Sequence, residues 1–278
     1  MKSIDFSDIE DDRLSGKSPL DCARKVELRI LRIFDRICRE NGLQYCLAYG
    51  TLLGAVRHGG FIPWDDDIDV HMPMEDYIRF VKIASDVLPD EIGFYHGKQT
   101  QCGFGKLIDR KSFYLDETSK ARMEDVPEGI FVDVFPLRPY WSARLHERTL
   151  AVVRHGILKA HPIGKLTLTN LVKRWFWIVV NKLFFFPLDK LNSIIGGENV
   201  GSPQWMWGST KVFPHSPFPT GSIKFEGFYF PAPRNVDEYL RTRYGDYMKL
   251  PPENERFVHA GIIIPFVGTI DAEYNVKA

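Results

Sequence analysis

Four carboxylates, Asp65, Asp66, Asp67 and Asp69, fall within five positions of a segment bounded by Trp64 and carried on by Ile68 and Val70. Alternate residues of an extended backbone face the same way. Asp67 and Asp69 therefore project together, Asp65 joins them if the strand reaches back that far, and Asp66 turns away. Like charges held this close repel and raise each other's pKa, and a hard divalent cation relieves the repulsion because carboxylate oxygens are its natural ligands. Most acidic runs are solvated turns. Here the apolar flanks and the preceding Gly59-Gly60 argue against that. So does a lone Asp133 inside the apolar stretch Ile130–Phe135, since an unpaired buried charge is costly.

The surrounding pattern places these acids on strands. Ser18-Pro19 opens a long amphipathic helix, with Leu20, Ala23, Val26, Ile30, Ile33, Phe34 and Ile37 at helical spacing, and Asn41-Gly42 ends it. Gln44 to Tyr49 reads as a buried strand, Thr51 to Arg57 as a short helix, and Ile68 to Met72 as a second strand. A helix comes next from Pro73 to Leu88, then short strands near 92–96, 103–108 and 112–115, then an apolar strand from Gly129 to Phe135. Pro136 and Pro139 mark a change, after which the pattern turns helical and basic. Residues 196–222 read as a loop, Phe225 to Phe230 as part of an aromatic hairpin, and Asn235 as the cap of a helix holding Val236, Tyr239, Leu240 and Tyr244. The expected organisation is a polar arm (1–17), a catalytic core (18–140) and a mainly helical C-terminal part (141–278) packed on that core and binding the acceptor.

Thirty-six Lys+Arg balance thirty-six Asp+Glu among the 278 residues, so no global field draws the chain to nucleic acid. Cys22, Cys38, Cys46 and Cys102 show no paired metal-ligand spacing and read as reduced thiols. The N-terminus lacks a signal-type apolar core, and no apolar run is long enough to span a membrane. The expected location is the cytoplasm, or the inner face of the cell membrane.

Gly50-Thr51 ends a strand and begins a helix, where exposed N–H groups attract phosphate. A strand, a phosphate-gripping turn and a strand with two acids two apart form the nucleotidyltransferase pattern, in which acid-held metal bridges nucleotide phosphates. Arg57, His58 and the strand residue Lys106 are further candidates for phosphate contact.

The segment from Tyr49 through Arg57-His58-Gly59-Gly60 and Pro63-Trp64-Asp65-Asp66-Asp67-Ile68-Asp69-Val70 closely resembles the signature of the LicD family. The later stretch from Tyr239-Leu240 through Tyr244-Gly245-Asp246-Tyr247 to Pro251-Pro252 is similar to the family's C-terminal motif. These are bacterial choline-phosphate transferases that decorate surface glycans, related to fukutin-type ribitol-phosphate transferases. The resemblance implies an α+β nucleotidyltransferase-type fold, with a small mixed sheet flanked by helices. It also implies transfer of phosphocholine, or a similar phospho-alcohol, from a CDP-activated donor to a glycan hydroxyl. Carried over, Gly50 and Thr51 hold donor phosphate. Asp67 and Asp69 bind Mg2+, or Mn2+ in its place, with Asp65 and Asp133 as further ligands. Asp133 is also the candidate base, and Tyr244, Asp246 and His259 belong to the acceptor region. A CDP- or CMP-linked donor carrying ethanolamine, a phosphonoalkyl group, ribitol or glycerol is the alternative, and a catalytically inactive nucleotide-binding module is the competing non-enzyme class. The aromatic stretch within 168–186, flanked by Lys173, Arg174 and Lys182, reads first as a core helix. Its second reading is a helix at a lipid surface, which would suit a lipid-linked acceptor.

Overall fold

A computed structural model describes residues 4–96, 99–100, 104–116, 126–149, 151, 168–201, 212–256, 258 and 260–267. The chain divides into two units. Met1–Pro136 and Pro217–Ala278 form the first, and Leu137–Ser216 the second. Residues 217–278 thus return to the first unit after the second rather than staying with residues 141–216.

In the first unit, α1 (Pro19–Glu40) begins and ends where its caps require. Ser18 Oγ accepts the Asp21 N–H at 3.1 Å, and Gly42 takes a left-handed φ of 59° just beyond the last turn. Its buried face carries Val26, Ile30, Ile33, Phe34 and Ile37. Phe34 packs edge-on against Tyr45 and Phe80 at centroid distances of 5.0 and 5.2 Å, an aromatic cluster within an otherwise mainly aliphatic core. The helices α2 (Tyr49–His58) and α3 (Met74–Val87) fit the expected pattern. The strands are β1 (Cys46–Leu47), β2 (Ile68–Pro73), β3 (Ile92–Tyr95), β4 (Gly105–Asp109), β5 (Phe113–Asp116) and β6 (Phe131–Tyr140). Five of them form one sheet in the order β1-β2-β6-β4-β3. The strand expected over 44–49 shrinks to two residues because α2 starts at Tyr49 and takes its end.

Strand β6 runs through both prolines. Residues 131–134 pair with β4, while 138–140 pair with β7 (Asn199–Gly201). Pro136 falls between these two ladders. From Pro217 onward strands outnumber helices among the described residues: a β8 (Gly221–Phe225)–β9 (Phe228–Ala232) hairpin and β10 (Ala260–Ile264), paired with β5, join a helix at Val236–Tyr244. Asn235 caps that helix through Oδ1, which accepts the Glu238 N–H at 3.2 Å.

The residues expected to form a polar arm are pinned to this unit. Arg13 is 5% exposed. Its guanidinium donates to both Asp109 carboxylate oxygens at 3.1 and 2.9 Å, to Asp11 and to the Pro265 carbonyl. Cys22, Cys38 and Cys46 are free, buried thiols, and Cys102 lies outside the described residues.

His71 on β2 is fully buried, and its Nε2 shares a 2.8 Å hydrogen bond with the Tyr239 hydroxyl. Burial pulls its pKa down to about 3. The folded protein therefore keeps this ring neutral, whereas the unfolded chain protonates it in the usual histidine range, near pH 6.5. Its contribution to stability is full above about pH 6.5 and is lost as pH falls toward 3, at about 1.4 kcal/mol per unit. Urea denaturation from pH 6.5 to 5 checks this: His71→Gln is expected to lose less stability on acidification than the parent, by that slope.

In the second unit, a helical stretch at 143–149 precedes α4 (Leu168–Val180), a π-helical turn (Asn181–Phe185) and α5 (Phe186–Ile195). The Val236–Tyr244 helix of the first unit is accordingly α6. The aromatic stretch read first as a core helix is on the surface, with Trp175 and Phe184 each 66% exposed. Hydrophobic spacing alone does not distinguish a face that meets protein from one that meets something else.

Candidate active site

Asp69 sits on β2 and Asp133 on the neighbouring β6, and both are nearly buried. The Asp69 backbone is held on both sides by the start of α2. Its N–H donates to Thr51 Oγ1 at 2.8 Å, and its carbonyl accepts the Ala48 N–H at 2.9 Å. Thr51 thus spends its hydroxyl on positioning Asp69. Tyr49, the first residue of α2, has a φ of 39°, which costs a non-glycine residue free energy. Its surroundings hold it there. Its N–H donates to the Tyr239 hydroxyl at 3.2 Å, and its ring meets His71 and Phe135 edge-on.

The Asp69 carboxylate accepts no hydrogen bond among the described residues. Burial pushes its pKa well up, and the nearby charges of Asp67, Asp133 and Asp65 push it further, against the pull of Lys106. Asp133 is raised by burial too. Lys106, its cross-strand neighbour, opposes this with a 2.6 Å ion pair to Oδ1 while its ammonium lies 3.5 Å from the Phe131 ring centroid. Lys106 therefore meets a carboxylate at the site.

Asp65 is half-buried, and its carboxylate lies against the start of α2. A Cβ at Gly50 would come within 2.4 Å of Asp65 Oδ2, so only glycine permits that approach. Asp66 turns the other way, as alternation requires. Its Oδ2 accepts the Tyr114 hydroxyl at 2.9 Å and the Ala260 N–H at 2.6 Å, joining β5 and β10 to the acidic segment.

Two devices hold the loop that leads into the acids. Arg24 on α1 donates to the carbonyls of Ile62, Pro63 and Asp65 at 2.8–2.9 Å. At the β8–β9 turn, the Glu226 N–H donates to the Gly59 carbonyl, and its carboxylate accepts the Phe61 N–H. Gly59 supports the turn with a left-handed φ of 71°.

Beside the acids lies a group of cations and rings. Arg57, half-buried in the last turn of α2, donates weakly to the Tyr247 carbonyl at 3.4 Å and leaves Nη2 buried with no partner among the described residues. Burial and then the charge of Arg256 lower its pKa, so two cations face one another here. Arg256 lies over the Trp64 ring at 4.9 Å, and Arg243 over Tyr49 at 5.2 Å. Tyr244 belongs to the same neighbourhood: burial and then Asp69 raise its hydroxyl pKa. His58 is exposed at the end of α2, its pKa lowered by desolvation and Arg57. Asp246 is exposed beyond α6, and His259 lies outside the described residues.

One acid went unrecognised in the sequence. Glu27 on α1 is 1% exposed, and its Oε2 has no hydrogen-bond partner among the described residues. Burial pushes its pKa well up, and the charges of Asp67 and Asp66 add to this. The signal was a lone carboxylate beside Ala23, Val26 and Ile30 on the apolar face of a helix. Arg24, Arg243 and Arg256 were also missed.

Among the described residues, no three His, Cys, Asp or Glu side chains already stand as a metal cage. Asp65, Asp67 and Asp133 each act electrostatically on Asp69 nevertheless, and the donor set is all oxygen, which suits a hard divalent cation. An acid cluster beside a group of arginines is the arrangement expected where a cation and a phosphate meet.

The family model for the LicD/FKTN/FKRP nucleotidyltransferase domain matches residues 42–192, and the chain belongs to that family. The lipopolysaccharide cholinephosphotransferase LicD of Haemophilus influenzae is 29% identical over 84% of this chain and 93% of its own length. An uncharacterized protein of Rickettsia typhi is 42% identical over 62% of this chain and 63% of its own. The human ribitol 5-phosphate transferase FKRP is 38% identical over 34% of this chain and 20% of its own.

Proposed function

We propose that this protein is a divalent-cation-dependent transferase that moves phosphocholine, or a similar phospho-alcohol, from a CDP-linked donor to a hydroxyl of a cell-surface glycan. The observation that carries this reading is the Asp69 carboxylate. It is nearly buried, it accepts no hydrogen bond among the described residues, and three other acids act on it, in a chain that aligns with almost the whole of a cholinephosphotransferase.

Asp67 and Asp69 are the residues that would hold Mg2+, or Mn2+ in its place, with Asp65 as a further ligand. The cation would polarise the donor diphosphate and stabilise the departing CMP. Arg57, Arg256 and Arg243 supply positive charge for the diphosphate. The Gly50 and Thr51 amides, at the start of α2, face the same charge. Asp133 takes the proton of the acceptor hydroxyl, a task suited to a carboxyl whose pKa burial has raised. The acceptor oxygen bonds to the phosphorus of the transferred group as the bond from phosphorus to the CMP oxygen breaks. Lys106 holds Asp133 in place. Tyr244 and Asp246 lie where α6 ends and would meet the acceptor.

A panel of CDP-choline, CDP-ethanolamine, CDP-ribitol, CDP-glycerol and a CMP-phosphonate, each with Mg2+, tests this by the rise in melting temperature. The expected result is one CDP-alcohol, with choline as the leading candidate, stabilising the protein well above CMP alone. Equal shifts for CMP and every donor would show that the alcohol is not recognised and count against a transferase of this kind.

A further inference from the structure

From Leu168 to Ile195 the second unit carries one nearly continuous helix, on the order of 40 Å long. Val172, Trp175, Val179 and Leu183 succeed one another at steps of three and four residues. The next member, Leu188, comes five residues later, and Leu191 three after that. Without a correction, that five-residue step would swing the second half of the stripe off the face. The π-helical turn at Asn181–Phe185 supplies it, because a π turn closes over one more residue than an α turn. The six side chains thus share one side, and each is between 40% and 66% exposed.

The other side is tethered. Asp189 meets His146 at 2.6 Å. The Asn192 side chain exchanges hydrogen bonds with the Ser142 backbone at 2.8 and 2.9 Å, and Asn181 is buried. Lys173, Lys182 and Lys190 are exposed along the helix, and Asp189, the one acid in the run, is engaged with its histidine. No helix among the described residues is long and apolar enough to cross a membrane. A contiguous apolar face of this size is uncommon on a monomer. A coiled-coil seam with a second copy would call for alternating steps of three and four, a pattern the steps of four, four and five do not follow. Aromatic and aliphatic side chains on one face, bordered by lysines, complement an anionic bilayer surface.

We propose that Leu168–Ile195 is an interfacial helix that lies in the plane of an anionic lipid surface, its π turn keeping the two halves of the apolar stripe in phase. Co-sedimentation of the full chain with phosphatidylcholine vesicles, with and without phosphatidylglycerol, tests it. The expected result is retention on the anionic vesicles. Leu183→Ser with Leu188→Ser should reduce that retention by more than about tenfold. Lys173→Gln, Lys182→Gln and Lys190→Gln together should reduce it by about tenfold or more while circular dichroism stays unchanged. Deleting one residue of the π turn tests the phasing separately and should also weaken retention. Equal retention by parent and variants would overturn the proposal. So would no retention from a monomer, and so would no retention from a dimer that Leu183→Ser dissolves, which would assign the face to a second copy.

Discussion

Asp69→Asn is expected to transfer at least about a thousandfold more slowly than the parent, the loss expected when several kcal/mol of transition-state charge stabilisation disappear. The change is nearly isosteric and leaves the N–H to Thr51 and the carbonyl to Ala48 in place. Stability should move the other way. In the cation-free protein, ionised Asp69 is held against burial and three other acids, so removing its charge relieves the fold. A variant that melts at or above the parent yet has lost turnover assigns Asp69 to chemistry. A variant that melts well below the parent would show that the carboxylate serves the fold, and the site assignment would fail. Asp67→Asn should behave alike, with a smaller effect on stability because Asp67 is only half-buried.

The second large effect concerns stability alone. Arg13→Ala should cost about 3–5 kcal/mol, the usual consequence of leaving a buried charge without its partner. Asp109, at the end of β4, is fully buried. Without Arg13 its carboxylate keeps the Lys111 N–H at 2.9 Å but no salt bridge among the described residues. The segment Arg13 anchors also reaches the Pro265 carbonyl, so its loss loosens two distant parts of the chain at once. Urea denaturation measures the cost, and the double variant Arg13→Ala with Asp109→Asn should recover part of it. A loss below about 1 kcal/mol would show that residues 4–17 are the detached arm their composition suggests.

That contrast shows where local pattern stops being informative. Ser18-Pro19 and Asn41-Gly42 mark α1 because capping is decided within a few residues, and the structure agrees with them closely. The spacing of Asp67 and Asp69 is a local pattern of the same kind, although β2 begins only at Ile68 and Asp67 precedes it. Asp66 turns toward Tyr114, as its separate place in the pattern suggested. Arg13, by contrast, is polar in an acidic segment, and only the fold brings Asp109 to it. Arg57 and Arg256 lie far apart in sequence and become a pair of facing cations because residues 217–278 return to the first unit. Glu27 could have been found, since a carboxylate on the buried stripe of a helix breaks the pattern around it. The stretch 175–186 misled in the opposite way: its apolar spacing is real, but the face it defines is turned outward.

The measurement that bears most directly on the acid cluster is CMP release from the CDP-alcohol selected by the melting panel, monitored as Mg2+ is returned to protein treated with a chelator. The expected result is no release above background in the chelator, full release when Mg2+ is restored, and none from Asp69→Asn under either condition. Release that continues undiminished in the chelator, or persists in Asp69→Asn with Mg2+, would contradict a cation held by Asp67 and Asp69.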